Sequence, residues 1–115
     1  MENLLIPYEA ALSIPCARAL VFAPHPDDEV FGCGGTIMRH VQHNTPVHVI
    51  IVSDGTYGVS AEAENDHAIQ RQNESIAAAQ KLGYGIPAFW HYPDRQISYS
   101  EKLIQHILAS IREID

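Results

Sequence analysis

Ala19-Leu20-Val21-Phe22-Ala23-Pro24-His25-Pro26-Asp27-Asp28-Glu29 runs from an apolar stretch straight into one imidazole and three carboxylates. The run Ala19 to Ala23 reads as a strand buried on both faces, because strands of a parallel sheet are apolar throughout rather than alternating. From Asp27 onward the pattern reads as helix. Val30, Gly34, Ile37 and Val41 share one face, and Asn44 and Pro46 end it. A polar cluster therefore stands where a strand hands over to a helix.

The pattern repeats twice downstream. Val47 to Val52 is a second β-branched, apolar run, closed by Ser53-Asp54-Gly55. Thr56 to Asn65 is polar and acidic and reads as a surface loop. A second helix is expected from about Asp66, a plausible N-cap, to Leu82, with Gly83 as its stop. Ile86 to Tyr92 reads as a third strand, turned by Pro93-Asp94. A third helix is expected to begin near Ser98, which has capping-box spacing to Glu101. Leu103, Ile104, Ile107, Leu108 and Ile111 form its apolar stripe. Residues 1–18, broken by Pro7 and Pro15, read as an irregular N-terminal extension to a domain over 19–115.

Strands separated by helices imply an α/β fold with a parallel sheet and right-handed crossovers, a Rossmann-like three-layer sandwich. The chain stops after the third helix with no return strand. Residues 19–115 are therefore expected to be the first β-α-β-α-β-α half of a larger domain; a compact three-stranded unit is the alternative. Ligands of such folds bind beyond the carboxyl ends of the strands. His25 to Glu29, Ser53 to Gly55 and Tyr92 to Asp94 all fall there.

Composition narrows the function. The net charge of −7 over 115 residues argues against binding a nucleic-acid backbone. The apolar runs are too short to span a bilayer, and the N-terminus lacks the pattern of an export signal, so a cytoplasmic protein is expected. Cys16 and Cys33 fit no CxxC spacing and read as reduced thiols near the core. A dinucleotide site would need a glycine-rich turn after the first strand, whereas the carboxylates found there would repel phosphate.

His25 and Asp28 are spaced so that both side chains can address one cation, and imidazole with carboxylate is a zinc-type donor set. Asp27 lies between them and should point elsewhere, where a general base for an activated water would stand. The plainer alternative is that the aspartates only cap the helix and His25 only bonds within the turn. Glu29 reads as a buried group that orients its neighbours, and Gly34 and Gly35 as allowing close approach of helix to sheet. Of the other histidines, His91 at the end of the third strand is the best placed to join the site. His67 begins the second helix, and His40, His43 and His106 lie farther from the rim.

Ala23 to Glu29, followed by Gly32-Cys33-Gly34-Gly35, resembles the signature of the LmbE/PIG-L deacetylase family. Ser53-Asp54-Gly55, Arg71 to Glu74, Leu82-Gly83 and Tyr92-Pro93-Asp94 extend the likeness over Ala19 to Asp115. The resemblance implies zinc-dependent hydrolysis of an N-acetyl group from an amino-sugar small molecule or glycoconjugate. It implies His25 and Asp28 as zinc ligands, Asp27 as the general base, and Arg71 and Asp94 as substrate contacts; Asp94 could equally serve only the turn. The family's third zinc ligand is a histidine after a fourth strand, expected beyond residue 115. Activity is thus expected of a longer protein rather than of these residues alone. A non-enzymatic or inactive binding or scaffold module of the same fold is the rival reading. In the family the first strand is interior; without its other neighbour Leu20-Val21-Phe22 would be an open edge, which suggests self-association there or covering by the N-terminal segment.

Overall fold

The computed structural model describes residues 9–11 and 14–115. Positions 1–8, 12 and 13 of the N-terminal extension lie outside the described residues. The chain runs β1 (Ala19–Ala23), α1 (Asp28–Gln42), β2 (Val47–Ser53), α2 (Glu64–Leu82), β3 (Ala88–Tyr92) and α3 (Glu101–Ile114). The strands form one parallel sheet in the order β1-β2-β3. The expected α/β architecture is therefore present.

Strand periodicity explains the core. Ala19, Val21 and Ala23 pair with Val47, Val49 and Ile51, so these side chains share one face. They pack with Ile37 of α1, Ala79 of α2, and Tyr84. Trp90 lies on the other face, edge-on to Phe22 at 5.8 Å between ring centroids. His106 of α3 stacks on Trp90 at 3.5 Å, which seats that helix against this face. Among the described residues β1 has β2 as its one strand neighbour, and Ala19 to Phe22 are half-buried rather than covered on both faces.

Several element ends differ from the sequence reading. α2 begins at Glu64, with Ala63 at the N-cap and no side-chain cap bond, so Asp66 lies inside the first turn. The cap of α3 is Ser100, whose Oγ accepts from Leu103 N at 3.2 Å, and not Ser98. Ser98 has the capping-box spacing to Glu101, whereas Ser100 is followed three residues on by Leu103, so the local pattern favoured the wrong serine. β3 starts at Ala88, leaving Ile86 exposed. A Cβ added at Gly34 would meet nothing nearer than 3.9 Å, and one at Gly35 nothing within 4 Å, so neither glycine is required for close packing. Cys16 is exposed, while Cys33 does pack on the core. Gly83 ends α2 in the left-handed region at φ 88°, as expected.

A bulge aims the third strand end. Ile51 pairs with Phe89 but Ser53 pairs with Tyr92, so β3 carries one extra residue. His91 takes φ 58° there, which a histidine tolerates better than a β-branched residue. The side chain of His91 stacks on Phe89. Its contribution to the rim is the backbone swing that redirects Tyr92-Pro93-Asp94.

Candidate active site

The carboxyl ends of the three strands are tied together by main-chain bonds. Ser53 N donates to Pro24 O and Asp54 N to Tyr92 O, each at 3.0 Å. On this base stands His25. One oxygen of Asp28, Oδ2, accepts from the His25 backbone N–H at 3.1 Å and lies 3.1 Å from His25 Nδ1. His25 Nε2 lies 3.0 Å from Asp94 Oδ1. The imidazole is thus held between two carboxylates. A neutral imidazole donates from one nitrogen only, so the other nitrogen needs a second proton or a cation in its place.

Asp27 faces away from this pair. It holds the N-cap position of α1 at φ 82°, a left-handed conformation that few non-glycine residues adopt. Its carbonyl accepts from Val30 N and Phe31 N, yet its side chain makes no cap bond. The carboxylate instead meets Arg71 Nη2 at 3.2 Å. The capping alternative for Asp27 is therefore excluded by its orientation.

Arg71, reaching from α2, also donates from Nη2 to Pro26 O at 2.7 Å and from Nη1 to Gly55 O at 2.9 Å. Three donations to two loops make it a clamp across the rim. Gly55 takes φ 68°, and a Cβ there would overlap the Arg71 guanidinium. Any residue other than glycine would displace the clamp.

His25 Nδ1 and Asp28 Oδ2 suit a zinc ion by chemistry and by spacing. Two ligands of a tetrahedral zinc at bond lengths of about 2.1 Å stand about 3.4 Å apart, close to the 3.1 Å found. Among the described residues no group of three or more His, Cys, Asp or Glu side chains is arranged to hold a metal ion. His91, His106 and His43 are turned to Phe89, Trp90 and the Arg39 carbonyl respectively.

Electrostatics separate the acids. Burial works to raise the Asp94 carboxyl, but the Tyr57 backbone N–H and the charge and hydrogen bond of His25 outweigh it and hold the group below its usual 3.8. Glu29 behaves oppositely. It is 1% exposed, and burial raises it above the ordinary 4.5. Ser75 is close enough to favour the charged form slightly, yet no hydrogen bond reaches either Glu29 oxygen among the described residues. Burial, aided by the Glu29 charge, pushes Tyr84 up to about 12.

All five residues singled out from sequence stand at one rim: His25, Asp27, Asp28, Arg71 and Asp94. The sequence singled out Asp54 only within Ser53-Asp54-Gly55 and passed over Thr56, Tyr57 and Glu64 as site residues. Asp54 Oδ1 accepts from Thr56 N at 3.1 Å, Thr56 Oγ1 at 2.9 Å and Asp94 N at 3.2 Å. The first of these is an Asx-turn, and an Asp two residues before a Thr beside Gly55 was its available signal. Thr56 is buried at 5% exposure, not part of a surface loop.

The GlcNAc-PI de-N-acetylase (PIG-L) family matches residues 20–115. The chain is 28% identical over 98 residues to diacetylchitobiose deacetylase of Thermococcus kodakarensis, covering 84% of this chain and 37% of that protein. It is 32% identical over 85 residues to 4-oxalmesaconate hydratase of Pseudomonas putida, covering 68% and 33%. N,N'-diacetylchitobiose deacetylase of Pyrococcus horikoshii, solved with an inhibitor, superposes with a TM-score of 0.77 at 28% identity, over 84% of this chain and 37% of that one. The chain thus spans little more than a third of the relatives it matches. Matched from β1 to its last helix, it belongs to the PIG-L de-N-acetylase family.

Proposed function

We propose that this chain carries part of the active site of a zinc-dependent hydrolase that removes the N-acetyl group from an amino-sugar compound. One observation carries the reading: His25 Nδ1 and Asp28 Oδ2 converge to 3.1 Å while Asp27, between them in sequence, turns its carboxylate to Arg71. That divides one motif into a ligand pair and a separate base. The family match and the diacetylchitobiose deacetylase relative support the substrate class.

His25 and Asp28 would hold the ion, with a third ligand from beyond residue 115. When bound, zinc supplies Lewis acidity, which polarises a carbonyl and makes water deprotonate near neutral pH. Asp27 takes the proton from the attacking water and keeps it for the departing amine. Arg71 fixes the orientation of the Asp27 carboxylate during that transfer. The amide C–N bond breaks, leaving acetate and a free amino sugar.

The test is Asp27→Asn in the full-length protein that supplies the third ligand. The variant is expected to keep zinc, by elemental analysis, and to lose acetate release by about 10²–10⁴-fold, the usual worth of a general base. Near-normal turnover removes Asp27 from the mechanism. Failure of that unaltered full-length protein to hold zinc favours the inactive binding module. A second reading, hydration of a carbon–carbon double bond, follows from the hydratase relative. Loss of ultraviolet absorbance from an unsaturated tricarboxylate, without acetate release, would identify it.

A further inference from the structure

We propose that Asp94 acts on His25 as a positioning residue, not on the substrate, and that Asp54 sets Asp94 in place. The inference rests on the reading of His25 as a metal ligand. It gives the second and third strand ends a defined task at the first.

Asp54 Oδ1 gathers three donors: Thr56 N, Thr56 Oγ1 and Asp94 N. One oxygen thereby fixes the loops after β2 and β3 together. The Thr56 hydroxyl also lies 3.1 Å from Glu64 Oε1, which ties this hub to the first turn of α2. With its backbone held, Asp94 places Oδ1 on His25 Nε2 at 3.0 Å and Oδ2 on Tyr57 N at 3.2 Å. Both oxygens are engaged, and the side chain is only 10% exposed. A sugar hydroxyl would have to displace one of these bonds. The His25 side chain, by contrast, is 45% exposed, so packing alone does not fix its ring.

The consequence is chemical. A carboxylate on Nε2 keeps the proton on that nitrogen and leaves Nδ1, beside Asp28 Oδ2, as the ligating one. The ring is also prevented from turning. Removing the acceptor frees both tautomer and orientation.

In the full-length protein, which supplies the third ligand, Asp94→Ala is expected to weaken zinc binding by about 10–100-fold in chelator competition. At saturating zinc its KM for an N-acetylated amino sugar should change little. Asp94→Asn retains an acceptor oxygen and should keep most of the affinity, which also guards against misfolding of the alanine variant. Asp54→Ala should fall between the two. In the metal-free protein, ¹H–¹⁵N correlation spectra should show His25 Nε2 protonated, with that hydrogen-bonded N–H lost in Asp94→Ala. A KM raised tenfold or more with zinc affinity intact assigns Asp94 to the substrate and overturns the proposal. So does an unprotonated Nε2 in the unaltered protein. Should the protein bind no zinc, the hydrolase reading falls, while the metal-free spectra still decide what Asp94 does.

Discussion

Asp28 and Glu29 are neighbours in sequence and opposites in environment. Asp28, at the rim, is 43% exposed and bonds His25 twice through one oxygen. Glu29 is 1% exposed, and neither of its oxygens is hydrogen-bonded among the described residues. One helical step sends the first carboxylate outward and the next beneath the sheet's edge toward Ser75 and Tyr84. At the rim the Asp94 carboxyl is held below its ordinary range, while burial raises Glu29 above its own, so the pH dependences of these two groups have opposite signs. Asp94 sits below its usual 3.8, so its contribution to stability is present above that pH and is lost as pH falls through its folded value. Glu29 sits above 4.5, so its contribution is complete below 4.5 and is lost as pH rises through its folded value.

The largest break in this comparison comes from Arg71→Ala. The clamp holds Asp27 and the carbonyls of Pro26 and Gly55, so its loss releases the base and both loops at once. Turnover is expected to drop by about 10²-fold, the scale of a misplaced reacting group, with KM changed less than kcat. Steady-state kinetics check it. A large rise in KM at constant kcat would place Arg71 on the substrate instead.

How much of this was readable from residues alone depends on the range of the signal. The strands, the helix order and the cluster at His25 are local patterns, and periodicity with the His-Asp spacing reveals them. The start of α2 was missed because its cap, Ala63, makes no side-chain bond, and that of α3 because Ser98, not Ser100, has the capping-box spacing to Glu101. Arg71 was named only through the family resemblance, as a substrate contact; its bonds to Pro26 and Gly55 span 45 and 16 residues and leave no local trace. The same is true of Asp94, whose partner His25 lies 69 positions away. The bulge at His91 decided that meeting, and nothing in Phe89-Trp90-His91-Tyr92 announces an extra residue.

Glu29→Gln sharpens the comparison with a smaller effect. Glutamine keeps the shape of the neutral acid and cannot ionise. The variant should match the parent below about pH 4, where Glu29 is protonated in both folded and unfolded chains. Above that it should become progressively more stable than the parent, because only the parent must hold a proton or bury a charge as pH rises. Urea melts at about pH 4 and about pH 8 check this. Equal stability at pH 8 would mean that Glu29 has a partner that tolerates its charge.

The smallest expected effect separates two hydroxyls three residues apart. Thr56 Oγ1 lies between Asp54 and Glu64, whereas Ser53 Oγ is buried with no partner among the described residues. In the unfolded chain both hydroxyls bond water. Folding replaces those bonds for Thr56 and forfeits them for Ser53. Thr56→Val should therefore cost about 1–2 kcal/mol, because it removes the one hydroxyl proton available to Asp54 Oδ1 and Glu64 Oε1. Ser53→Ala should lie within about 0.5 kcal/mol of the parent or be slightly stabilising, because it removes a polar atom that nothing answers. Denaturant melts of the two variants side by side decide it. A loss above about 1 kcal/mol for Ser53→Ala would show that the layer beneath the rim is a bonded network, and the contrast between rim and interior would then be one of exposure alone.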